Sequence, residues 1–184
     1  ILGIGAGWRE DEYLAYGYDF PLPSVRFRQL EETIKICRLM WAEDEPSFEG
    51  EFFSIDGASA PPLPTVPPPI CIGASGEKIG LPLAARHADI WNTVWRGSSE
   101  SLIRKRNIVL AEVDRLGRSR SDIEFSLTIE RALPKDDAEC DQFFELLSDL
   151  IDLGVNHFVL DFGNPRSAAE ADRLSPAQQR RKKK

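Results

Sequence analysis

The 184-residue chain carries 30 acidic and 23 basic residues and a formal net charge of −7. The five basic residues at 180–184 contribute +5, so residues 1–179 carry −12. Such an acidic body is not expected to bind nucleic acid, because phosphate binding needs a positive surface field. No apolar stretch approaches the roughly 20 residues of a membrane span, and residues 1–7 lack the features of a secretion signal. We therefore expect a cytoplasmic globular protein with no nucleic-acid or membrane partner.

The cysteines and histidines give no metal-binding pattern. Cys37, Cys71 and Cys140 are odd in number and far apart in apolar surroundings, so we expect reduced, structural side chains. His87 and His157 are the only histidines, and they lie seventy residues apart. The sequence therefore predicts no metal cofactor.

In the first half of the chain, short apolar runs alternate with amphipathic segments, which is typical of βα units around a parallel sheet. Residues 1–5 are predicted as a strand. Residues 24–41 are predicted as a helix, because apolar side chains recur every three or four residues while charged ones, Glu32 included, are expected to face water. Residues 48–55 follow as a hairpin. Six prolines within residues 61–69 predict an extended lead-in.

The second half continues the alternation. The predicted strands are residues 70–72, 89–95, 123–129 and 157–162, and the predicted helices are residues 77–87, residues 98–116 and a segment between the Asp136 cap and Gly154. Apolar and polar side chains alternate over residues 123–129. In a closed barrel, Glu124, Ser126 and Thr128 would therefore face the lumen.

Five parallel strands with intervening helices account for about five of the eight units of a (β/α)8 barrel of about 250 residues. The predicted fold class is α/β, an incomplete TIM (β/α)8 barrel. Because the first residue already lies in a strand, we expect an N-terminal part to be absent. The predicted domain is a barrel portion over residues 1–174, followed by a disordered basic tail over residues 175–184.

Two glycine-bearing turns each follow a predicted strand and are candidate binding sites. In the first, Gly5 and Gly7 flank Ala6 and let a flat ligand approach the backbone without a Cβ in the way. An acidic cluster at residues 10–12 lies nearby, and such clusters usually complement a helix dipole. By itself this turn is a weak signal.

The second turn consists of Gly73, Ala74, Ser75 and Gly76, and Glu77 is predicted to open the next helix. Such a loop directs free backbone N–H groups at one spot, adds the positive end of a helix dipole and supplies the Ser75 hydroxyl, which suits an anion. A plain βα turn with Ser75 as the helix N-cap would use the same residues. The residues alone leave both interpretations open.

Taken together, these motifs resemble the luciferase-like monooxygenase superfamily. The matching stretches include GIGAGWREDEY at 3–13, FEGEF at 48–52, PPPICIGASGE at 67–77 and AARHADIWN at 84–92, in the family's order and spacing over nearly all of residues 1–163. The resemblance implies a luciferase-like TIM-barrel oxidoreductase that binds a flavin such as FMN or the deazaflavin coenzyme F-420. This chain would hold strands four to eight with their helices, and the complete protein could form a homo-oligomer.

The resemblance also assigns roles to the candidate residues. The cofactor phosphate would sit in the loop of residues 73–76 with Glu77, and Gly5 and Gly7 would lie beside the ring or ribityl chain. Trp91 and Asn92 would line the ring pocket, although Trp91 could equally be barrel core. Ala6 stands where FMN-using relatives place a phosphate-binding arginine, which favours the deazaflavin coenzyme.

The resemblance implies hydride transfer to or from a small organic substrate, or oxygen activation on reduced flavin. The family's substrate-side residues come largely from strands one to three, so the catalytic residues stay unknown. A non-catalytic flavin-binding relative or subunit is the alternative. A barrel that binds some other phosphorylated metabolite is a third.

Overall fold

The computed structural model describes residues 1–163. Its strands are β1 (Leu2–Ile4), β2 (Phe48–Glu49), β3 (Ser54–Ile55), β4 (Ile70–Gly73), β5 (Ile90–Val94), β6 (Glu124–Glu130) and β7 (His157–Asp161). Its helices are α1 (Glu10–Ala15), α2 (Pro23–Ala42), α3 (Gly80–His87), α4 (Ser99–Arg115) and α5 (Asp137–Asp152), with a 3₁₀ turn at Arg120–Asp122. The predicted tail at residues 175–184 and the predicted barrel end at 174 lie outside the described residues.

Five strands form one parallel sheet in the order β1-β4-β5-β6-β7, and β2 and β3 form a separate antiparallel hairpin. The order is that of consecutive βα units of a (β/α)8 barrel, so the predicted α/β, incomplete-barrel class is confirmed. In the described part of the chain, no helix is both long and apolar enough to cross a membrane.

Side chains alternate between the two faces of the sheet. On the helix-covered face, Ile72, Trp91 and Phe125 align across β4, β5 and β6 and belong to the hydrophobic core. The other face, called the inner face below, carries Asn92 and Ser126 in register with each other. The alternation predicted for β6 is present, since Phe125 is core while Ser126 bonds to Asn92.

Helix α2 carries a buried carboxylate where the sequence predicted a water-facing one. Glu32 is only 9% exposed, and its carboxylate accepts hydrogen bonds from the backbone N–H groups of Glu51, Phe52 and Phe53 at 2.7, 2.9 and 3.0 Å. Burial opposes ionisation, but these donors hold the pKa of Glu32 below its usual value. The prediction for Glu32 was wrong because the β2–β3 turn folds back onto α2.

Helix α3 begins at Gly80 and not at the predicted Glu77. Pro82 has no N–H group, and its ring disfavours a helical turn before it, so it is tolerated only in the first turn of a helix. A helix from Glu77 would place Pro82 in its interior. Gly80 itself fits a tight contact, because a Cβ there would lie 3.2 Å from both the Ala74 Cβ and the Phe27 ring.

Candidate functional site

The two glycine-bearing turns, far apart in sequence, are neighbours in space. They follow β1 and β4, which pair in parallel with Ile4 opposite Ile72. A Cβ built at Gly5 would lie 3.4 Å from the carbonyl oxygen of Gly73. Both turns lie at the carboxyl ends of parallel strands, which is where (β/α)8 barrels and open α/β sheets bind their ligands.

The loop of residues 73–76 has an anchored inner residue and an open outer half. The N–H of the buried Ala74 donates to the Asn92 carbonyl at 3.0 Å, and its own carbonyl accepts the Trp91 indole N–H at 2.9 Å. Ser75 and Gly76 are exposed. Within residues 1–163, the N–H groups of Ser75, Gly76 and Glu77 meet no protein acceptor. Three consecutive free donors can bind an anion.

Ser75 does not cap helix α3. Its Oγ lies 2.8 Å from Oγ1 of Thr93, and Ile79 occupies the N-cap position without a side-chain cap. The two hydroxyls carry two protons and share one of them, so one proton remains for another acceptor. Thr93 is only 4% exposed, so Ser75 is the accessible member of the pair. The N-cap interpretation of Ser75 was therefore wrong.

Glu77 contributes its backbone to the loop, since its carboxylate is occupied elsewhere. The Arg104 guanidinium of α4 lies 2.6 Å from Oε1 of Glu77, and both side chains are partly exposed. The ion pair draws the Glu77 carboxylate toward α4 and offsets its negative charge. An anion at the loop would therefore meet a neutralised carboxylate.

The first turn is held by an arginine from α2 that sequence reasoning missed. The Nε of Arg26 donates to the Ala6 carbonyl at 3.1 Å, and its Nη1 donates to the Pro21 carbonyl. The same guanidinium lies 3.8 Å from the centroid of the Phe20 ring. A cavity of about 390 Å³ opens here, with Gly5, Ala6 and Arg26 in its lining. No local motif marks Arg26, because only the packing of α2 beside β1 brings it to this turn.

Gly7 completes that turn with a backbone conformation that favours glycine. Its φ is +75°, and a Cβ there would overlap with the hydroxyl of Tyr13. The other glycines of the two turns, Gly5, Gly73 and Gly76, have no positive φ. Around Gly76 a Cβ would meet no atom within 4 Å. Neither strain nor packing within residues 1–163 therefore requires glycine at Gly76.

Trp91 lies beneath the loop, in the hydrophobic core. It is 1% exposed and packs edge-on against Phe125, with ring centroids 5.6 Å apart at 89°. Its link to the site is the hydrogen bond to the Ala74 carbonyl. Of the two alternatives that the sequence left open for Trp91, ring pocket or barrel core, the structure shows the core position. Assignment of the candidate residues to a cofactor stays a prediction.

The inner face carries a polar chain that sequence reasoning did not assemble. Oδ1 of Asn92 accepts from Thr128 at 3.1 Å, and its Nδ2 donates to Ser126 Oγ at 2.8 Å. Ser126 Oγ in turn lies 2.8 Å from Nδ1 of His157. The Ser126 hydroxyl can donate to Nδ1 of His157 or accept from it, depending on the His157 tautomer, because its oxygen has a second lone pair beside the one that accepts from Asn92. Gly73 is in register with Asn92, so the chain begins beside the loop.

The described residues also bear on metal binding and thiols. Among residues 1–163, no group of three or more His, Cys, Asp or Glu side chains is arranged to hold a metal ion. Cys37, Cys71 and Cys140 are free and half-buried. Burial raises the pKa of Cys37 and Cys71, so neither is an activated thiolate at neutral pH.

Comparisons with known proteins match this architecture. The sequence model of the family described as luciferase-like monooxygenase covers residues 1–183. An uncharacterised protein of Mycobacterium tuberculosis is 33% identical over 96 residues, which are 52% of this chain and 33% of that protein. The F420-dependent glucose-6-phosphate dehydrogenase of Microbacterium testaceum is 30% identical over 131 residues, which are 71% of this chain and 38% of that enzyme. The matches therefore span less than two fifths of these relatives.

Two solved structures share the fold. An F420-dependent secondary alcohol dehydrogenase in complex with an F420-acetone adduct superposes with a TM-score of 0.73 at 20% identity, covering 86% of this chain and 62% of that one. The EDTA monooxygenase of Chelativorans sp. superposes with a TM-score of 0.64 at 15% identity, covering 95% and 64%. At these identities the likeness concerns the fold.

Proposed function

Because the chain belongs to the luciferase-like monooxygenase family, we propose that the complete protein is an oxidoreductase acting on a small organic substrate with a bound deazaflavin coenzyme. Such a cofactor supplies the hydride acceptor or donor, and a flavin in its place would supply oxygen activation. The observation that carries the proposal is the three free N–H groups of residues 75–77, next to the turn that follows β1.

The residues present fit a flat cofactor that bears a phosphate. The three N–H donors precede helix α3, so the phosphate would add hydrogen bonds and a favourable interaction with the helix dipole. Glycine at Gly76 leaves the backbone open although nothing within residues 1–163 requires it there. The approach of a ligand is a physical reason for a bare backbone at this point.

The chain's own residues would bind and orient the cofactor. The Ser75 hydroxyl, supported by Thr93, would donate its remaining proton to a phosphate oxygen. Arg26 would keep the Ala6 turn in place through the Ala6 and Pro21 carbonyls. Trp91 would hold the loop in position through its hydrogen bond to the Ala74 carbonyl.

A substitution at Gly76 tests the loop. Gly76→Asp in the full-length protein places a carboxylate beside the proposed phosphate, and we expect the dissociation constant of the deazaflavin coenzyme to rise about 10- to 100-fold, the equivalent of about 1.5 to 3 kcal/mol for one charged hydrogen-bond site. Gly76→Ala should have a smaller effect. Titration of cofactor fluorescence measures both.

Asn107→Asp is the matched control, because it adds the same charge on the exposed face of α4. We expect it to leave cofactor affinity unchanged. Since a Cβ at Gly76 meets nothing within 4 Å, all three variants should keep the parental melting temperature. Equal affinity of Gly76→Asp and Asn107→Asp would return the loop to an ordinary βα turn.

Cofactor choice rests on the turn after β1. Ala6 brings no positive side chain, and Arg26 uses Nε and Nη1 to bind the Ala6 and Pro21 carbonyls, which leaves only its Nη2 for a phosphate and excludes the bidentate contact through Nε and Nη1. A bidentate arginine contact to phosphate is worth about 1.5 to 3 kcal/mol. We therefore expect the deazaflavin coenzyme, with its longer charged tail, to bind more tightly than FMN, and Ala6→Arg to shift the preference toward FMN. If the parent protein binds FMN more tightly than the deazaflavin coenzyme at the same salt concentration, the proposed cofactor is wrong, but the assignment to the family is unaffected.

Turnover separates an enzyme from a non-catalytic relative. The named relatives act on a sugar phosphate and a secondary alcohol, so these two substrate classes are the first to test with the bound coenzyme. Substrate-dependent bleaching or recovery of the cofactor absorbance is the expected result. Tight cofactor binding without turnover on any substrate would favour a flavin-binding module of the same fold.

A further inference from the structure

A second pocket lies beside the first turn and is lined by three tyrosines and one carboxylate. Its volume is about 410 Å³, and its lining residues are Glu12, Tyr13, Tyr16 and Tyr18. Tyr16 and Tyr18 are 75% and 67% exposed, so most of each ring is open to a ligand. Other large apolar side chains of the described chain are as exposed, so the feature used here is the clustering of three tyrosines around one pocket.

The backbone fixes these four residues relative to one another. The Tyr16 N–H donates to the Glu12 carbonyl at 3.1 Å, and the Tyr18 N–H donates to the Tyr13 carbonyl at 2.9 Å. Between the two donors, Gly17 has a φ of +77°, which lets the chain reverse direction. The pocket is therefore preorganised by its own main chain, and a ligand need not order a loose segment.

Packing against Phe20 stabilises Tyr13, which forms one wall of the pocket. The Tyr13 ring packs edge-on against Phe20, with centroids 5.0 Å apart at 70°. Tyr13 also lines the cavity that contains Gly5 and Ala6, so the two pockets share a wall. A ligand in the tyrosine pocket would therefore lie next to the candidate cofactor site.

The local charge is negative and partly uncompensated. Residues 8–20 contain four acids and one base, Arg9. Arg9 is already bound to Asp11 through two hydrogen bonds, of 3.3 and 2.6 Å. Across residues 1–163, Glu12 takes part in no ion pair. Glu12 helps to raise the pKa of Arg9 at longer range but forms no ion pair with it in the described chain.

From these features we infer that the tyrosine pocket binds a small organic cation with a quaternary or methylated ammonium group. The faces of aromatic rings are electron-rich and attract cations, and weakly hydrated alkylammonium groups lose little on leaving water. Glu12 supplies the counter-charge. A metal ion would require several oxygen ligands, whereas the pocket offers one carboxylate and three phenols. The inference concerns binding alone and does not depend on the proposed cofactor.

Choline and its neutral isostere 3,3-dimethylbutan-1-ol are the probes, since they share shape and differ in charge. Saturation-transfer NMR on their methyl signals, with the full-length protein free of cofactor, measures both dissociation constants. We expect choline to bind at least about fivefold more tightly. Tyr16→Leu should weaken choline about two- to fivefold, whereas Tyr16→Phe should retain it because the ring face remains. Glu12→Gln should weaken choline and reduce the salt dependence of its binding.

Trp8→Leu is the matched control, because Trp8 is an exposed aromatic on the same segment that does not line the pocket, and its ring already faces Arg9 at 5.7 Å. Choline affinity should be the same in this variant as in the parent. Equal affinity for the two probes, no binding of choline, or equal losses in Tyr16→Leu and Trp8→Leu would each overturn the inference. None of these results would bear on cofactor binding at the loop of residues 73–76.

Discussion

Replacement of Trp91 tests how the core supports the candidate loop. Trp91→Phe keeps an aromatic ring but removes the indole N–H that donates to the Ala74 carbonyl at 2.9 Å. Ala74 is buried, so its carbonyl loses its donor where water has little access, at a cost of about 1 to 3 kcal/mol. The smaller ring also leaves a void in a core where Trp91 is 1% exposed, which adds about 1 kcal/mol. We expect the free energy of unfolding to fall by about 2 to 4 kcal/mol.

Denaturant unfolding of the full-length protein measures this loss, and Phe125→Leu is its control. Phe125 packs against Trp91 on the same face but makes no hydrogen bond to the loop. Both variants should lower stability, while only Trp91→Phe should also weaken cofactor binding and speed amide exchange at Ala74, whose N–H donates to the Asn92 carbonyl. The reasoning is refuted if the two variants affect the loop equally, because packing would then account for the whole effect.

Three further predictions concern other parts of the described chain. Glu32→Gln should lower the free energy of unfolding at neutral pH and much less at about pH 3. Because the pKa of Glu32 is lowered in the folded state, the ionised carboxylate stabilises the fold above the unfolded-state pKa, and this stabilisation is lost as pH falls through the folded-state pKa. Thermal melts of both proteins at the two pH values measure the difference. Burial lowers the pKa of His87, although the hydrogen bond to Glu31 acts in the opposite direction. The melting temperature should therefore decline as pH falls below the unfolded-state pKa of about 6.5. Thermal melts of His87→Gln should show a smaller decline over the same pH range. Gly7→Ala should lower the free energy of unfolding, measured with denaturant, more than Gly17→Ala does. The positive φ costs about 1 kcal/mol at each position, but only at Gly7 would the new Cβ also overlap with the Tyr13 hydroxyl.

Features encoded in local patterns were predictable from the sequence. The alternation in β6 and the helical spacing in α2 report which side of one element is buried, and both follow from the periodicity of the chain itself. The start of α3 was predictable in principle, since Pro82 marks a first helical turn. The loop after β4 was predictable because glycine and serine directly after a buried strand are a local signal, whereas its role in anion binding stays a prediction.

Features that depend on contacts between distant residues were missed. Arg26 reaches the Ala6 carbonyl from a helix, and nothing in its neighbourhood distinguishes it from other helix-surface arginines. Glu32 was assigned to water because the turn that donates to it lies some twenty residues further along the chain. His157 joined Asn92 only through the register of β5, β6 and β7. Strand register is a tertiary property, so a lone histidine gives no hint of it.

The way the loops are held strengthens the case for an anion at residues 75–77. Remote side chains satisfy three backbone groups around the site: Trp91 donates to the Ala74 carbonyl, Arg26 donates to the Ala6 carbonyl, and Asp89 accepts from the Ile70 N–H at 2.8 Å. The N–H groups of residues 75–77, like those of residues 6–9 and 96–100, meet no protein acceptor in the described chain, and those of residues 75–77 are distinguished by the Ser75 hydroxyl beside them. Exposed donors of this kind are hydrated, and an anion that replaces the water would gain charge-assisted hydrogen bonds from them. We therefore expect an anionic group to bind here without rearrangement of the loop, and the Gly76 substitutions measure this property.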